Sequence, residues 1–144
     1  MTANQQLGIR WFDEIWNKQH REVVAEMMSP DCVLHEGGVD TVGVDAFHVY
    51  YDRMHASFSD LHVTVHEALE HGEKVCLRWS CTMTHTGFGL GIPPTGKTVE
   101  TTGISIMRVA NGKLVEGWQN WDMLAVLEAL GMRDKAANKL AVSA

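Results

Sequence analysis

The dipeptide Asn111-Gly112 lies between two long alternating runs, and it constrains the fold more than any other feature of the chain. The run 98–110 precedes it and the run 113–122 follows it, and each alternates apolar with polar residues. Asn and Gly both tolerate a positive φ, so this pair is the strongest short signal for a two-residue β-hairpin turn. The sequence therefore predicts a long antiparallel hairpin at residues 98–122.

The length of the turn predicts which residues face each other across the hairpin. With a two-residue turn, Ala110 pairs with Lys113, Ser105 faces Trp118, and opposed residues share one face of the sheet. The predicted face joins small residues to large polar ones: Thr101, Gly103, Ser105, Met107, Glu116, Trp118, Asn120 and Asp122. Such a face leaves room and supplies hydrogen-bonding groups, as the wall of a ligand pocket requires.

The opposite face of the predicted hairpin is mostly apolar. It carries Ile104, Ile106, Val115 and Trp121, with Arg108 and Gln119. In a sheet covered by helices on one side, a second apolar face indicates a subunit interface. We therefore expect a homodimer or tetramer that forms through the convex face of the sheet.

The rest of the chain predicts helices early and antiparallel strands late. Leu7, Trp11 and Ile15 recur at helical spacing, and Pro30 ends a second short helix. The predicted elements are helices at about residues 7–16, 20–28, 44–58 and 123–130 and strands at 32–36, 61–69, 74–86, 98–110 and 113–122. This order is typical of the α+β class, and a curved sheet wrapped around the N-terminal helices forms an open cone. We expect one domain over residues 1–144, with a core at about 7–131 and a tail at 132–144.

Composition excludes several classes of partner. The 144 residues carry 12 Lys and Arg against 18 Asp and Glu, a formal charge of −6, which argues against nucleic acid. The N-terminus lacks the pattern of a signal peptide, and the longest apolar runs are far short of a membrane span. We expect a cytoplasmic protein that does not bind membranes. Neither the three cysteines nor any set of His, Asp and Glu has the spacing of a metal site.

Three side chains are candidates for acid–base chemistry. A carboxylate such as Asp122 inside an apolar cavity has a raised pKa and becomes a general acid or base. Alternatively, Asp122 only caps the last helix, and the two roles can coexist. His35 could point inward by strand alternation, and His85 lies on the Trp79 face beside a glycine-rich loop. Each histidine either lines the pocket or is structural.

The loop Gly91-Ile92-Pro93-Pro94-Thr95-Gly96-Lys97 resembles the G-I-P-P-T-G-K loop of SnoaL-like polyketide cyclases, also called ester cyclases. This family lies within the nuclear-transport-factor-two-like superfamily. Other segments match in order over roughly residues 7 to 131: Trp16-Asn17, Pro30-Asp31, His35, Phe58-Ser59-Asp60, Arg78-Trp79, Thr84-His85-Thr86-Gly87, Arg108, Glu116, Trp118, Asp122 and Leu130-Gly131.

The resemblance implies a conical pocket closed by the N-terminal helices and chemistry without a cofactor. It also implies that Asp122 acts as acid and base in an intramolecular aldol ring closure. The cyclases place a histidine near this aspartate on the adjacent strand, where the present sequence has Thr101, Gly103 and Ser105. His35 or His85 could take that part from another strand.

Three functions compete at this point. The first is a cofactor-independent enzyme that uses Asp122 for aldol cyclisation or isomerisation of a hydrophobic, polyketide-like carbonyl compound. The second is a non-catalytic module that binds a small hydrophobic ligand, and the third is a structural domain with a vestigial pocket. Under either of the first two, we expect the ligand to contact Trp118, Asn120, Trp16, Tyr51, Ser105 and Met107.

Overall fold

The computed structural model describes residues 1–132 and contains helices at each predicted place. Helix α1, Ala3–Arg10, continues as a π-helical segment, Trp11–Asn17, and a 3₁₀ turn, Arg21–Val23, leads into α2, Val24–Met27. Helices α3, Gly43–Ser57, and α4, Met123–Ala129, follow. None of the described helices is both long and apolar enough to span a membrane. The predicted C-terminal tail, residues 132–144, lies outside the described part of the chain except for Met132.

Six described strands form one curled sheet. They are β1, Met28–Glu36; β2, Val39–Val42; β3, His62–His71; β4, Lys74–Thr84; β5, Thr98–Ala110; and β6, Lys113–Trp121. Their order is β2-β1-β6-β5-β4-β3, and every pair is antiparallel except β1 with β6. The fold is therefore the predicted α+β cone.

Strand β1 begins earlier than the sequence predicts, and β2 was not predicted at all. Helix α2 does end before Pro30, as expected, but the strand begins directly after the helix and includes Pro30. Its missing N–H is tolerated because the pairing of β1 with β6 is irregular between Met28 and Val33. Strand β2 is only four residues long and mostly exposed, so it carries little apolar periodicity.

The hairpin turn is confirmed, but its predicted register is wrong beyond the second pair. Asn111 and Gly112 have φ values of 52° and 74°, and Ala110 pairs with Lys113. A bulge then shifts the pairing by one residue, so Ser105 faces Gln119 and not Trp118. A slip of one residue moves every later side chain to the other face. Gln119 and Trp121 therefore take the face that was predicted for Trp118 and Asn120.

The helices cover one face of the sheet, which we call the inner face. Alternate residues of β5 are buried there, from Val99 through Ser105 to Met107. Aromatic residues of the π-helical segment and α3 fill the space above it, with the rings of Trp11 and Phe47 5.1 Å apart. The opposite, outer face exposes Ile104 and Ile106. The inner face and its helices therefore enclose the core and the cavity described next.

Candidate functional site

A cavity of about 650 Å³ opens between the inner face of the sheet, α3 and α4. Most of its lining is apolar or aromatic, and Glu36 is the only acidic residue among the described residues that line it. The lining includes Trp11, Trp16, Glu36, Phe47, Tyr50, Arg53, Met54, Leu90, Ser105, Met107, Gln119, Trp121 and Met123. An apolar cavity with a few convergent polar groups is the usual form of a small-molecule site.

Glu36, the last residue of β1, places its carboxylate in the cavity. Because β1 runs parallel to β6 with Glu36 beside Gln119, both side chains lie on the inner face. The Trp121 indole Nε1 donates to Glu36 Oε1 at 2.7 Å, and Gln119 Nε2 donates to Glu36 Oε2 at 3.0 Å. The Tyr50 hydroxyl lies 3.5 Å from Oε1. Each carboxylate oxygen thus has a fixed N–H donor and keeps a lone pair for another group.

A chain of buried hydrogen bonds orients Gln119. Trp79 Nε1 donates to Ser105 Oγ at 3.0 Å, and Ser105 Oγ donates to Gln119 Oε1 at 3.1 Å. Since the Gln119 oxygen accepts the serine hydroxyl, its NH₂ group turns toward Glu36. The hydrogen bonds therefore all donate in the direction from Trp79 to Glu36, and the last of them ends on the Glu36 carboxylate.

Tyr50 presents a neutral hydroxyl beside Glu36. Burial raises the pKa of the Tyr50 phenol well above its ordinary value, and the negative charge of Glu36 raises it further. The nearby charge of Arg53 opposes this shift without cancelling it. Tyr50 therefore stays protonated at neutral pH and can donate a hydrogen bond in the cavity.

His35 lies on the outer face, so the expectation that it points inward is wrong. Glu36 follows it in the same strand, and successive side chains of a strand alternate between faces. His35 Nε2 lies 2.9 Å from Glu116 Oε2 and Nδ1 lies 2.7 Å from Asp40 Oδ1, and both nitrogens donate when the ring is protonated. These hydrogen bonds, first to Glu116 and then to Asp40, raise the pKa of His35. Its ring also stacks on Trp118, with centroids 5.5 Å apart.

The predicted contact residues divide between the two faces. Because of the bulge, Trp118 and Asn120 lie on the outer face, which also carries His35. Trp118 and His35 still border the rim of the cavity. Ser105, Met107 and Trp16 line the cavity as expected.

Tyr51 turns away from the cavity. Its hydroxyl donates to the Ile15 carbonyl at 3.0 Å, and it is buried in the core. Its neighbour Tyr50 lines the cavity instead. One residue of a helix turns the side chain by about 100°, so the apolar stripe of α3 did not distinguish the two tyrosines.

Asp122 is exposed and caps helix α4. Its Oδ1 accepts the N–H of Ala125 at 3.0 Å, and it does not line the cavity. The expectation of a carboxylate buried in an apolar cavity is therefore wrong for Asp122. The bulge explains the difference, since it brings Trp121 to the inner face and leaves Asp122 at the end of the strand, where its backbone N–H donates to the Thr102 carbonyl.

His85 is fully buried but does not line the cavity. Its Nδ1 accepts the backbone N–H of Thr95 at 3.2 Å, and its ring lies against Phe58. Its Nε2 has no hydrogen-bond partner among residues 1–132. Through Thr95, His85 holds one end of the glycine-proline loop, residues 85–97, to the core.

The other end of this loop packs against the last turn of α3. A Cβ added to Gly87 would lie 1.7 Å from the Ala56 carbonyl oxygen, and one added to Gly89 would lie 2.3 Å from that of Arg53. Only glycine permits such contact with the backbone. The loop thereby brings Leu90 to the cavity.

Sequence reasoning missed Glu36, Gln119, Trp121 and the orientation of Tyr50. Alternation from His35 places Glu36 on the opposite face, but nothing in the sequence shows which face is inner. In residues 1–132, no group of His, Cys, Asp and Glu is arranged to hold a metal ion.

The sequence profile of the family described as SnoaL-like polyketide cyclase matches residues 6–130. A proposed SnoaL-like polyketide cyclase from Jannaschia sp. CCS1 is 27% identical, with a TM-score of 0.83 over 89% of this chain and 91% of that one. AclR, a proposed hydroxylase from Streptomyces galilaeus, is 26% identical, with a TM-score of 0.79 over 89% of this chain and 95% of that one.

IdmH, a proposed polyketide cyclase from Streptomyces antibioticus, is 26% identical, with a TM-score of 0.78 over 90% of this chain and 99% of that one. No curated protein matches the chain by sequence.

Proposed function

This chain belongs to the SnoaL-like polyketide cyclase family, and on that premise we propose that it is a cofactor-independent enzyme acting on a hydrophobic carbonyl compound. Glu36 is the general base that removes a proton from the carbon next to the carbonyl. The observation that carries this proposal is a carboxylate set in a largely apolar cavity by Trp121 and Gln119. The acid–base role that the family resemblance implies for Asp122 is assigned to Glu36 in this proposal, because Asp122 is exposed and caps α4.

The proposed reaction needs one base and one donor. The Tyr50 hydroxyl donates to the substrate carbonyl oxygen, and Glu36 takes the α-proton, leaving an enolate whose charge the hydrogen bond stabilises. In a cyclisation, the enolate carbon attacks a second carbonyl of the same molecule and forms a carbon–carbon bond. Glu36 then returns the proton to the new alkoxide, so the enzyme ends in its starting state.

The direction of the hydrogen bonds around Glu36 suits this exchange. Trp121 and Gln119 donate to the carboxylate, so its oxygens are held in place before substrate binds. Ser105 and Trp79 fix Gln119 from behind. Such preorganisation keeps the base within reach of the proton without a rearrangement during the reaction.

Proton exchange on a simple ketone tests the proposal without knowledge of the natural substrate. 2-Tetralone, a bicyclic aromatic ketone, is incubated with the protein in D₂O, and loss of its α-proton signals is followed by NMR. Glu36→Gln keeps the shape of the side chain and one of its two accepted hydrogen bonds, and we expect it to slow the catalysed exchange by about 10²- to 10⁴-fold. Binding of 2-naphthol, a flat mimic of the enol, reports whether the cavity of the variant is intact. Exchange at the wild-type rate in Glu36→Gln would refute the assignment.

A non-catalytic ligand-binding domain is the second candidate. It is favoured by the two N–H donors that hold Glu36, since a carboxylate fixed in this way can orient a ligand without exchanging a proton. This function predicts that the wild-type protein binds 2-naphthol and leaves the α-protons of 2-tetralone unexchanged.

For the partner, we propose a second copy of the chain on the outer face of the sheet. Ile104 and Ile106 are 51% and 37% exposed there, beside the half-buried Trp118. Adjacent apolar side chains on a strand face favour association. Ile104→Lys with Ile106→Lys introduces like charges at this interface, and we expect the assembly to dissociate in analytical ultracentrifugation. An unchanged sedimentation coefficient in the variant, or a monomeric wild type, would contradict the proposal.

A further inference from the structure

Arg53 differs from the other described arginines. Residues 1–132 contain five arginines, and the other four each pair with a carboxylate. These pairs are Arg10 with Glu14, Arg21 with Asp52, Arg78 with Glu67, and Arg108 with Glu116. The guanidinium of Arg53 makes neither an ion pair nor a hydrogen bond with any residue in this part of the chain, and Arg53 lines the cavity. Arg53 is exposed and has no such partner among residues 1–132, so it is available to a ligand of the cavity that it lines.

The backbone of Arg53 is held firmly at this place. The Ser57 hydroxyl donates to the Arg53 carbonyl at 2.7 Å. Gly89 packs against the same carbonyl so closely that a Cβ there would lie 2.3 Å from the oxygen and 2.1 Å from Ser57 Oγ. The glycine-proline loop and the last turn of α3 therefore fix where the Arg53 side chain starts, with Leu90 beside it in the lining.

The helix sets the spacing between Arg53 and the proposed reaction centre. Tyr50 and Arg53 are three residues apart on α3, so they lie on neighbouring turns of one face, separated by about 4.5 Å along the axis. Tyr50 is the residue that approaches Glu36. A ligand with its carbonyl at Tyr50 and Glu36 would thus present another part of its structure to Arg53.

We propose that Arg53 binds a carboxylate of the substrate, so that the substrate class is a keto acid with an apolar, ring-sized body. This inference rests on the proposed function, because it takes Glu36 and Tyr50 as the place of the reacting carbonyl. A guanidinium offers parallel N–H donors that match the two oxygens of a carboxylate. It also offsets the repulsion that Glu36 and a chain of net charge −6 exert on an anionic substrate.

Two ligands that differ by one carboxylate test the inference. 6-Hydroxy-2-naphthoate carries a carboxylate on the ring remote from its hydroxyl, and 2-naphthol lacks it. Their dissociation constants are measured by fluorescence for the wild type, Arg53→Gln and Arg78→Gln. Arg78→Gln is the matched control, since it removes the same charge from the outer face of β4, where Arg78 pairs with Glu67.

We expect the wild type to bind the naphthoate more tightly than 2-naphthol. Arg53→Gln should weaken naphthoate binding by about threefold to tenfold and leave 2-naphthol unchanged, the range for a solvent-accessible charge-assisted contact. Arg78→Gln should keep the preference. If the wild type does not prefer the naphthoate, or Arg53→Gln keeps the preference, Arg53 does not bind a carboxylate. Such a result would leave the proposed role of Glu36 unaffected, because the proton-exchange assay tests that role separately. If neither ligand binds, both this inference and the proposed use of the cavity fail.

Discussion

Replacing Ser105 with alanine tests the chain of hydrogen bonds behind Glu36. Ser105 Oγ is the acceptor for Trp79 Nε1 and the donor to Gln119 Oε1. Both Ser105 and Trp79 are buried, so the alanine variant leaves an indole N–H without a partner or access to water. A buried donor that loses its acceptor costs about 1–3 kcal/mol. The Gln119 oxygen is only half-buried and can be solvated, so it adds little to this loss.

Thr101→Val is the matched control on the same strand and face. Its hydroxyl is as buried as that of Ser105, but it donates to the Asp122 carbonyl and takes no part in the chain to Glu36. We expect its loss to cost about 0.5–1.5 kcal/mol, the usual net value of one hydrogen bond. Urea unfolding monitored by tryptophan fluorescence measures both free energies.

The indole N–H resonances give a second result that stability alone does not. In Ser105→Ala, the Trp79 N–H signal should shift because its acceptor is gone, and the Trp121 signal should shift because Gln119 is released beside Glu36. Thr101→Val should leave both signals in place. If Ser105→Ala costs no more than Thr101→Val and leaves the Trp121 signal unmoved, Gln119 is not oriented by Ser105.

Three further predictions concern charge, packing and thiol reactivity. Since hydrogen bonds to Glu116 and Asp40 raise the pKa of His35 above its ordinary 6.5, His35 stabilises the fold at low pH and loses this effect as the pH rises through the raised value. His35→Asn should therefore lower the melting temperature more at about pH 6 than at about pH 9, and an equal loss at both would contradict the assignment. Gly89→Ala places a Cβ 2.1 Å from Ser57 Oγ. We therefore expect the free energy of unfolding, measured with urea, to fall by about 1–3 kcal/mol and the binding of 2-naphthol to weaken. Wild-type stability would show that the loop does not pack on α3. Burial raises the pKa of Cys32 to about 11 and that of Cys81 to about 12. N-ethylmaleimide should therefore label the half-buried Cys76 first, as followed by mass spectrometry. Labelling of Cys81 as fast as that of Cys76 would overturn this prediction.

The sequence predicts those parts of the fold that depend on local pattern. The turn at Asn111-Gly112, the alternation along β5 and the helix over residues 43–57 follow from backbone preferences and apolar period, so they appear where expected. The turn, the alternation and the helix each depend on a few consecutive residues. The cone follows from the order of these elements and from the family resemblance.

The candidate site depends on pairings between distant segments, and these leave little trace in the sequence. The bulge between Leu114 and Glu116 reverses which residues of β6 face inward, and it has no distinctive residue to mark it. The parallel pairing of β1 with β6 brings Glu36 beside Gln119 across more than eighty residues of chain. The predicted register therefore places the cavity carboxylate at Asp122, whose position at the end of β6 agrees with the family pattern but not with the observed register.

The most direct test of the central claim compares two carboxylates under one assay. Glu36→Gln and Asp122→Asn each replace an acid by its amide, and 2-tetralone exchange in D₂O is measured for both with 2-naphthol binding as the control for fold. The structure predicts that Glu36→Gln loses about 10²- to 10⁴-fold in exchange rate, whereas Asp122→Asn keeps the wild-type rate, because asparagine also caps a helix. Loss of exchange in Asp122→Asn together with normal exchange in Glu36→Gln would contradict the account and return the catalytic role to Asp122.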